Sequence, residues 1–138
     1  MQLIKSLPLL VVVVAAYNLA VVMAGAAIEA ELARFGLLSG AVWVVTTGDL
    51  LLGVGLVLVC VELVKATRTS TAAIVDHVLS LGLFVICLIE FIALPAAGTG
   101  VFFLITLMCL IDVVAGFTVT IVAARRDIGI DRGMRLEE

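Results

Sequence analysis

Long apolar runs, separated by short polar segments, set the pattern of this chain. Residues 7–27 form the first run and contain no charged side chain. Residues 40–64 form the second run, in which Asp49 and Glu62 are the charged positions. A bilayer core about 30 Å thick requires about 20 helical residues to cross it. Each of these runs is therefore long enough to form one transmembrane helix.

A third apolar stretch, residues 72–124, is too long for one crossing, because as a single helix it would measure about 80 Å. Residues 95–100 interrupt it with the sequence Pro-Ala-Ala-Gly-Thr-Gly, which favours a turn. We therefore predict helices over 72–94 and 101–124. The runs do not alternate in polarity as the strands of a membrane β-barrel do. The predicted fold is all-α: one domain over 1–138, an integral membrane bundle of four transmembrane helices.

Composition narrows the class of protein further. Of the 138 residues, 64% are hydrophobic and 14% are charged. Soluble domains are about 45–50% apolar and about 25% charged, so a soluble domain, a disordered chain and a disulfide-stapled scaffold are excluded. The net charge is −3, and the sequence has no basic stripe that would bind a phosphate backbone. The expected partner is the lipid bilayer, and nucleic acid is not expected.

Lysine and arginine positions predict the orientation, because cytoplasmic loops of membrane proteins carry an excess of these residues. With both the N- and C-termini cytoplasmic, seven of the eight basic residues share the cytoplasmic side, and Arg34 lies outside. The seven are Lys5, Lys65, Arg68, Arg125, Arg126, Arg132 and Arg135. We expect a multi-pass protein of a bacterial inner membrane.

Two segments outside the predicted spans have interfacial character. In residues 28–38, apolar and charged side chains are spaced one or two helical turns apart, which predicts a short amphipathic helix on the outer surface. Residues 125–138 form a charged cytoplasmic tail. We expect Arg125 and Arg126, at its start, to anchor the last helix at lipid phosphates.

Each predicted helix contributes one strongly polar side chain to the middle or outer half of the membrane. Counted from the cytoplasmic helix ends, these are Asn18 at about 17 Å, Asp49 at about 22 Å, Glu90 at about 27 Å and Asp112 at about 18 Å. An ionisable side chain near the bilayer centre costs about 2.5–3.5 kcal/mol, which makes it a functional candidate. We predict that the four form an acidic layer that binds protons or cations. Alternatively, protonated carboxyl groups hydrogen-bond to neighbours as packing contacts.

Helical periodicity assigns the polar and small residues to particular faces of three helices. The second helix carries them at Asp49, Gly53, Leu56 and Cys60, the third at Asp76, Ser80, Leu83, Cys87 and Glu90, and the fourth at Cys109, Asp112, Gly116 and Thr120. Small and polar faces suit close helix packing. We expect all three faces to point into the bundle or into a subunit interface.

Cys87 and Cys109 begin two similar sequences, Cys-Leu-Ile-Glu and Cys-Leu-Ile-Asp, on neighbouring helices. Two thiols and the nearby carboxylates have the donor atoms that a divalent metal such as zinc requires. The alternative is that both cysteines are small apolar packing residues. His77 points about 100° away from Asp76 on a helix, and we expect it to be structural or lipid-facing. No other cofactor is expected.

The sequence favours two functions of different classes. It contains no protease, phosphate-binding or metallohydrolase motif, and its loops are too short for a substrate domain, so an enzyme is not expected. The first hypothesis is a small homo-oligomeric protein whose acidic layer binds or conducts protons or cations. The second is an accessory or scaffolding subunit of a larger membrane complex, without transport activity of its own.

Several short segments resemble a type of uncharacterised four-helix inner-membrane protein from alphaproteobacteria. They are GDLLLG at 48–53, IVDH at 74–77, CLIEF at 87–91, DVVAGF at 112–117 and ARRD at 124–127. The resemblance covers most of the chain and implies a four-helix membrane fold without implying an activity. In size, helix count and the sequence EFIAL at 90–94, the chain is also similar to the phosphate-starvation-inducible E family.

Overall fold

The computed structural model describes residues 7–23, 25, 27–66 and 71–134, and these contain four α-helices and two β-strands. The elements are α1 (Leu10–Tyr17), β1 (Glu31–Gly36), β2 (Val42–Thr46), α2 (Thr47–Ala66), α3 (Thr71–Ala93) and α4 (Gly100–Met134). A π-helix over Asn18–Met23 continues α1, and a 3₁₀ turn over Pro95–Ala97 joins α3 to α4. Of the basic residues that predict the orientation, Lys5, Arg68 and Arg135 lie outside the described residues.

Three of the helices are long and apolar enough to cross a membrane, over Thr47–Ala66, Val75–Ala93 and Gly100–Val119. The predicted helices over 40–64, 72–94 and 101–124 are confirmed in number and type, although α2 begins at Thr47 and α4 extends to Met134. The apolar helix near the N-terminus, Leu10–Val22, is shorter than the other three.

Two glycines on α2 bring it close to α4. A Cβ atom added at Gly48 would lie 2.8 Å from Val101, and one added at Gly55 would lie 2.9 Å from the sulfur of Met108. Both helices advance by seven residues between these contacts, so α2 and α4 run parallel. Seven residues are close to two helical turns, which keeps both contacts on one face.

The helix α3 runs antiparallel to α4, as the short turn between them requires. Near the turn, the rings of Phe91 and Phe103 lie 5.6 Å apart. Farther from it, the ring of His77 lies against Gly116. Each contact pairs an earlier residue of one helix with a later residue of the other, which fixes their opposite directions.

The helix α1 runs antiparallel to α2 and α4. The backbone N–H of Leu9 donates a hydrogen bond to Glu62 near the end of α2, whereas Val13 lies beside Gly55 in its middle. The four helices therefore alternate in direction along the chain. This alternation is the topology that four successive membrane crossings require.

The apolar core lies where the four helices meet between the two ends of the bundle. Tyr17 and Phe102 are fully buried, with ring centroids 4.7 Å apart. The Tyr17 hydroxyl donates to the Ala96 carbonyl at 3.0 Å and lies 2.7 Å from the Thr99 hydroxyl, so it fixes α1 to the α3–α4 turn. Other core members are Leu10, Val13, Val14, Val59, Leu83, Cys87, Ala97, Ile105 and Cys109.

The segment between α1 and α2 is a β-hairpin, so the predicted amphipathic helix over 28–38 is wrong and the described chain is not entirely α-helical. Phe35 pairs with Trp43 across the antiparallel strands, and their ring centroids lie 6.0 Å apart. The turn is closed by the Leu37 N–H donating to the Ala41 carbonyl, with Gly40 at φ +83°. The aromatic and β-branched residues of β2 favour a strand and give β1 a partner.

Candidate functional site

The four residues of the predicted acidic layer are divided between different surroundings. Asn18 and Glu90 are brought together: the Asn18 side-chain amide donates to Glu90 Oε2 at 2.9 Å and to the Val14 carbonyl at 3.1 Å. Asn18 begins the π-helix, immediately after Tyr17. This pair therefore lies near the end of the bundle that carries the α3–α4 turn.

Asp49 is exposed in the first turn of α2, where it forms a capping box with Thr46. Its Oδ2 accepts hydrogen bonds from the Thr46 N–H at 2.9 Å and from the Thr46 hydroxyl at 2.8 Å. In return, the Asp49 N–H donates to the Thr46 hydroxyl at 3.1 Å. Such reciprocal bonds satisfy N–H groups that have no partner at a helix start. The structure thus places Asp49 in the first turn of α2, rather than within a helix that spans 40–64.

Asp112 lies at a different level of the bundle from Asp49 and Glu90. It is about 18 Å along α4 from Gly100, counted at about 1.5 Å per residue. Gly48, next to Asp49, lies at the level of Val101, near the start of α4. The predicted single layer is therefore not formed, because residues 42–46 are a strand and α2 begins at Thr47.

Asp112 belongs to a buried group of polar side chains that we term the charged cluster. Its members are Glu62 and Lys65 on α2, Asp76, His77 and Ser80 on α3, and Asp112 on α4. Five of them are nearly inaccessible, with Glu62 3%, Asp76 6%, His77 6%, Ser80 4% and Asp112 5% exposed. The side chain of Lys65 is 32% exposed, so the cluster reaches the surface there.

Contacts within the charged cluster connect all three helices. Lys65 Nζ lies 2.9 Å from Asp76 Oδ2 and 3.7 Å from Glu62 Oε1. The same Glu62 oxygen accepts the Leu9 N–H at 2.5 Å, which ties the start of α1 to the cluster. The Ser80 side chain lies within hydrogen-bonding reach of Asp112.

Two buried atoms of the cluster have no hydrogen-bond partner, namely Asp76 Oδ1 and His77 Nε2. Leaving a buried polar group unsatisfied costs about 1–3 kcal/mol. Native structures place a partner, an ion or an ordered water at such positions with few exceptions. These atoms therefore mark the cluster as a place that accepts a further polar species.

Charge within the cluster is not balanced by its own residues. Glu62, Asp76 and Asp112 supply three carboxyl groups, and Lys65 supplies one cation. With every carboxyl group ionised and His77 neutral, the cluster carries a net charge of −2. Burial penalises such a charge unless protons or cations neutralise it.

Cys87 and Cys109 are both buried and have free thiols within hydrogen-bonding reach of each other. Across the described part of the chain, no group of three or more His, Cys, Asp or Glu side chains is placed to hold a metal ion. The contact between the thiols agrees with the packing interpretation. Cys60, in contrast, is exposed on α2.

The predicted faces of α3 and α4 point into the bundle, with Glu90 half-buried and the Thr120 side chain outside the described part, whereas the predicted face of α2 does not. For α2 the other alternative, a subunit interface, stays a prediction. Asp76, Ser80, Leu83 and Cys87 are buried on α3, and Cys109, Asp112 and Gly116 are buried on α4. On α2, Gly53, Leu56 and Cys60 are exposed, and the buried face carries Gly48, Gly55, Val59, Glu62 and Ala66. Glycines occur on both faces of α2, so they do not identify which face is buried in the single chain.

Lys65 and His77 are the cluster members that the sequence reasoning missed. Lys65 pairs with Glu62 three residues before it, but its shorter contact is with Asp76 on α3. His77 is buried, so the lipid-facing alternative is wrong. The position of His77 beside Gly116 could have been predicted by counting residues, because each lies sixteen residues from the helix end at the α3–α4 turn.

Arg125 and Arg126 lie within α4, which continues unbroken to Met134, and their side chains are outside the part that the structure describes. Their predicted contact with lipid phosphates stays a prediction. Comparisons with known protein families, curated proteins and solved structures found no match to this chain. The assignment of a function therefore depends on the geometry of the site.

Proposed function

We propose that this chain is a small multi-pass membrane protein that binds or conducts protons through the charged cluster. The observation that carries the proposal is the excess of buried carboxyl groups, Glu62, Asp76 and Asp112, over Lys65, the one cation that the described residues place among them. We place both termini in the cytoplasm and the helices in a bacterial inner membrane, following the basic residues and the sequence resemblance. The charged cluster then lies toward the cytoplasmic end of the bundle.

The groups in the cluster favour a proton over a metal cation. Lys65 already occupies the position between Asp76 and Glu62 where a cation would be attracted. Both unpartnered atoms, Asp76 Oδ1 and His77 Nε2, belong to groups that take up protons. Transport of another cation is the alternative within the same proposal, and the flux experiment distinguishes them.

The proposed protein acts as a homo-oligomer. Four helices enclose too little interior for a complete pathway, and much of the apolar surface of α2 is uncovered by the rest of the chain. The exposed positions include Leu50, Val54, Val57 and Val61. Such surfaces face lipid or another copy of the chain.

The test is flux into liposomes that contain the purified protein, measured for protons and for sodium and potassium ions. We expect proton flux that Asp112→Asn and Asp76→Asn reduce at least tenfold. Glu29→Gln, which makes the same chemical change at an exposed turn position, is the control and keeps wild-type flux. Absence of proton flux from folded wild-type protein, or equal flux in all variants, contradicts the proposal. If sodium or potassium flux is instead observed and falls in Asp112→Asn and Asp76→Asn, the cluster conducts that cation.

The exposed β-hairpin favours a second candidate, an accessory subunit that docks a partner outside the bundle. Leu32, Phe35, Leu38 and Trp43 all leave more than half of their surface uncovered. Purification in mild detergent tests this function. Co-purification of an unrelated chain that Trp43→Ser abolishes supports it, and recovery of this chain alone counts against it.

A further inference from the structure

Gly116 provides the space in which the imidazole of His77 sits. A Cβ atom added at Gly116 would overlap Nδ1 of the ring and would lie 2.5 Å from Cε1. The ring of Phe117, the next residue of α4, lies 6.2 Å from that of His77. Because residue 116 is glycine, the backbone of α4 leaves room for the imidazole ring. A side chain of any other residue type at 116 would occupy this space.

In this position against α4, the second ring nitrogen of His77 is buried without a partner. His77 is 6% exposed, and its Nε2 has no hydrogen bond. When such a nitrogen binds a proton, one N–H bond forms and the neutral imidazole becomes a cation. Nε2, like Asp76 Oδ1, is thus an atom of the cluster that is open to a proton.

Charged groups on the elements packed around His77 determine the sign of the electrostatic potential at its ring. Asp112 on α4 and Asp76 on α3 are negative when ionised, and α2 contributes Glu62 together with the cation Lys65. The described part of α1, Leu10–Tyr17, contributes no carboxylate or cation. Among the described residues, these groups sum to a net negative charge when the carboxyl groups are ionised, so a proton bound at Nε2 lies among opposite charges.

We infer that His77 carries the exchangeable proton of the charged cluster on Nε2, and that Gly116 positions its ring for this purpose. The inference rests on the proposed proton-binding function and assigns the proton to one residue. Protonation of His77 leaves a cation beside Asp112 and reduces the net charge of the cluster from −2 to −1. Gly116 acts through His77 and is a positioning residue.

The composition of the chain makes the test direct, because His77 is its single histidine. Full-length protein labelled with ¹⁵N-histidine is placed in lipid nanodiscs, and its one imidazole signal is followed by NMR between about pH 8 and pH 5. We expect the signal to change from the neutral to the protonated form. Asp112→Asn alters the pH dependence of this signal, since a neighbouring negative charge is lost.

Two further variants separate positioning from folding. Gly116→Ala displaces the ring and changes the imidazole signal, whereas Gly53→Ala, at an exposed position of α2 with open space around it, leaves the signal unchanged. Proton uptake by the folded protein is measured with a pH-sensitive dye. His77→Gln takes up one proton fewer per chain than wild type over the same pH range, in agreement with the single histidine.

The outcomes distinguish this inference from the proposed function. An imidazole that stays neutral while wild-type liposomes conduct protons overturns the inference and leaves the function standing. Equal proton uptake by wild type and His77→Gln also overturns it. Loss of flux in Asp112→Asn, with a titrating imidazole in wild type, supports both. A neutral imidazole together with absent flux contradicts both.

Discussion

The side-chain amide of Asn18 donates to Glu90 Oε2 at 2.9 Å, which connects the π-helix after α1 to the last turn of α3. Asp112, in contrast, lies among Asp76, Glu62 and Lys65. Two carboxyl groups in one small bundle thus have different neighbours: Glu90 meets a neutral donor, and Asp112 meets charged groups. This difference is the reason that we assign the proton-binding function to the cluster around Asp112.

Asn18→Leu removes the donor to Glu90 while keeping a side chain of similar size. We expect a loss of about 1–3 kcal/mol in the free energy of unfolding, because the half-buried carboxyl group loses its partner. Unfolding in mixed detergent micelles, followed by circular dichroism, measures it. Glu90→Gln, which still accepts from Asn18, is the matched control with a smaller loss. Equal stability of wild type and Asn18→Leu contradicts the role of this bond.

The capping box at the start of α2 predicts a second stability effect. Thr46→Ala removes the hydroxyl that accepts the Asp49 N–H and donates to the Asp49 carboxylate. The expected loss is about 0.5–2 kcal/mol, the usual range for replacing a helix cap by alanine. Thr118→Ala is the control, because the exposed Thr118 hydroxyl bonds to its own helix at the Val114 carbonyl. If Thr46→Ala loses no more stability than this control, the capping box does not stabilise the start of α2.

Gly48→Ala tests the close approach of α2 to α4. The added methyl group meets Val101 at 2.8 Å and the Ile28 carbonyl oxygen at 3.3 Å, and the backbone oxygen cannot move independently of the chain. Overpacking of this kind costs about 1–3 kcal/mol. Gly53→Ala on the open face of the same helix is expected to stabilise by up to about 1 kcal/mol, because alanine favours helix. Opposite signs in thermal unfolding confirm the assignment of faces, and equal signs contradict it.

The ion pair in the hairpin gives a pH-dependent prediction. Arg34 donates two hydrogen bonds to the Glu31 carboxylate, and these hold the pKa of Glu31 below its usual range. The folded hairpin therefore binds this proton more weakly than the unfolded chain does. The contribution of the pair is present above the unfolded pKa of about 4.3 and is lost as pH falls through the lower, folded pKa.

Arg34→Gln removes this effect and returns the pKa of Glu31 toward its usual value. NMR titration of the ¹³C-labelled carboxyl groups compares the variant with wild type, and Glu29, which is also exposed in this segment, serves as the internal reference. A Glu31 titration that is identical in the two proteins would show that the pair does not form in solution.

The sequence was informative where several residues of one helix share a face. Asp76, Ser80 and Cys87 recur on one side of α3, and the structure buries all three against α4. Burial on such a helix follows from periodicity, because polar and small residues avoid lipid and the remaining positions are large and apolar. The antiparallel packing of α3 and α4 follows from the Pro95–Ala97 turn.

The start of α2 and the hairpin were predicted incorrectly for separate physical reasons. Thr46 and Asp49 have the spacing of a capping box, a local signal that marks a helix start, but the apolar run before them was read as membrane-spanning helix. The strand β1 depends on its partner β2, as the pairing of Phe35 with Trp43 shows. A pairing partner is a tertiary feature that a short amphipathic pattern does not report.

The composition of the charged cluster depended on contacts between helices. The long side chain of Lys65 leaves its own helix and reaches Asp76 on α3. Helical periodicity does not relate residues on two different helices, so it could not predict this contact. Helical periodicity gives the face of a residue but not the rotation of the facing helix. The sequence therefore identified Asp112 as a candidate and did not supply its neighbours.

The position of the apolar core makes the two sides of the membrane inequivalent for any proton that reaches the charged cluster. Tyr17, Phe102 and Ile105 are fully buried and fill the bundle between the cluster and the hairpin end. These packed side chains separate the cluster from the hairpin end, whereas the partly exposed Lys65 connects it to the surface at the other end of the bundle. On the proposed function, we expect acidification of the side that Lys65 faces to reach Asp112 faster than the same step applied on the hairpin side.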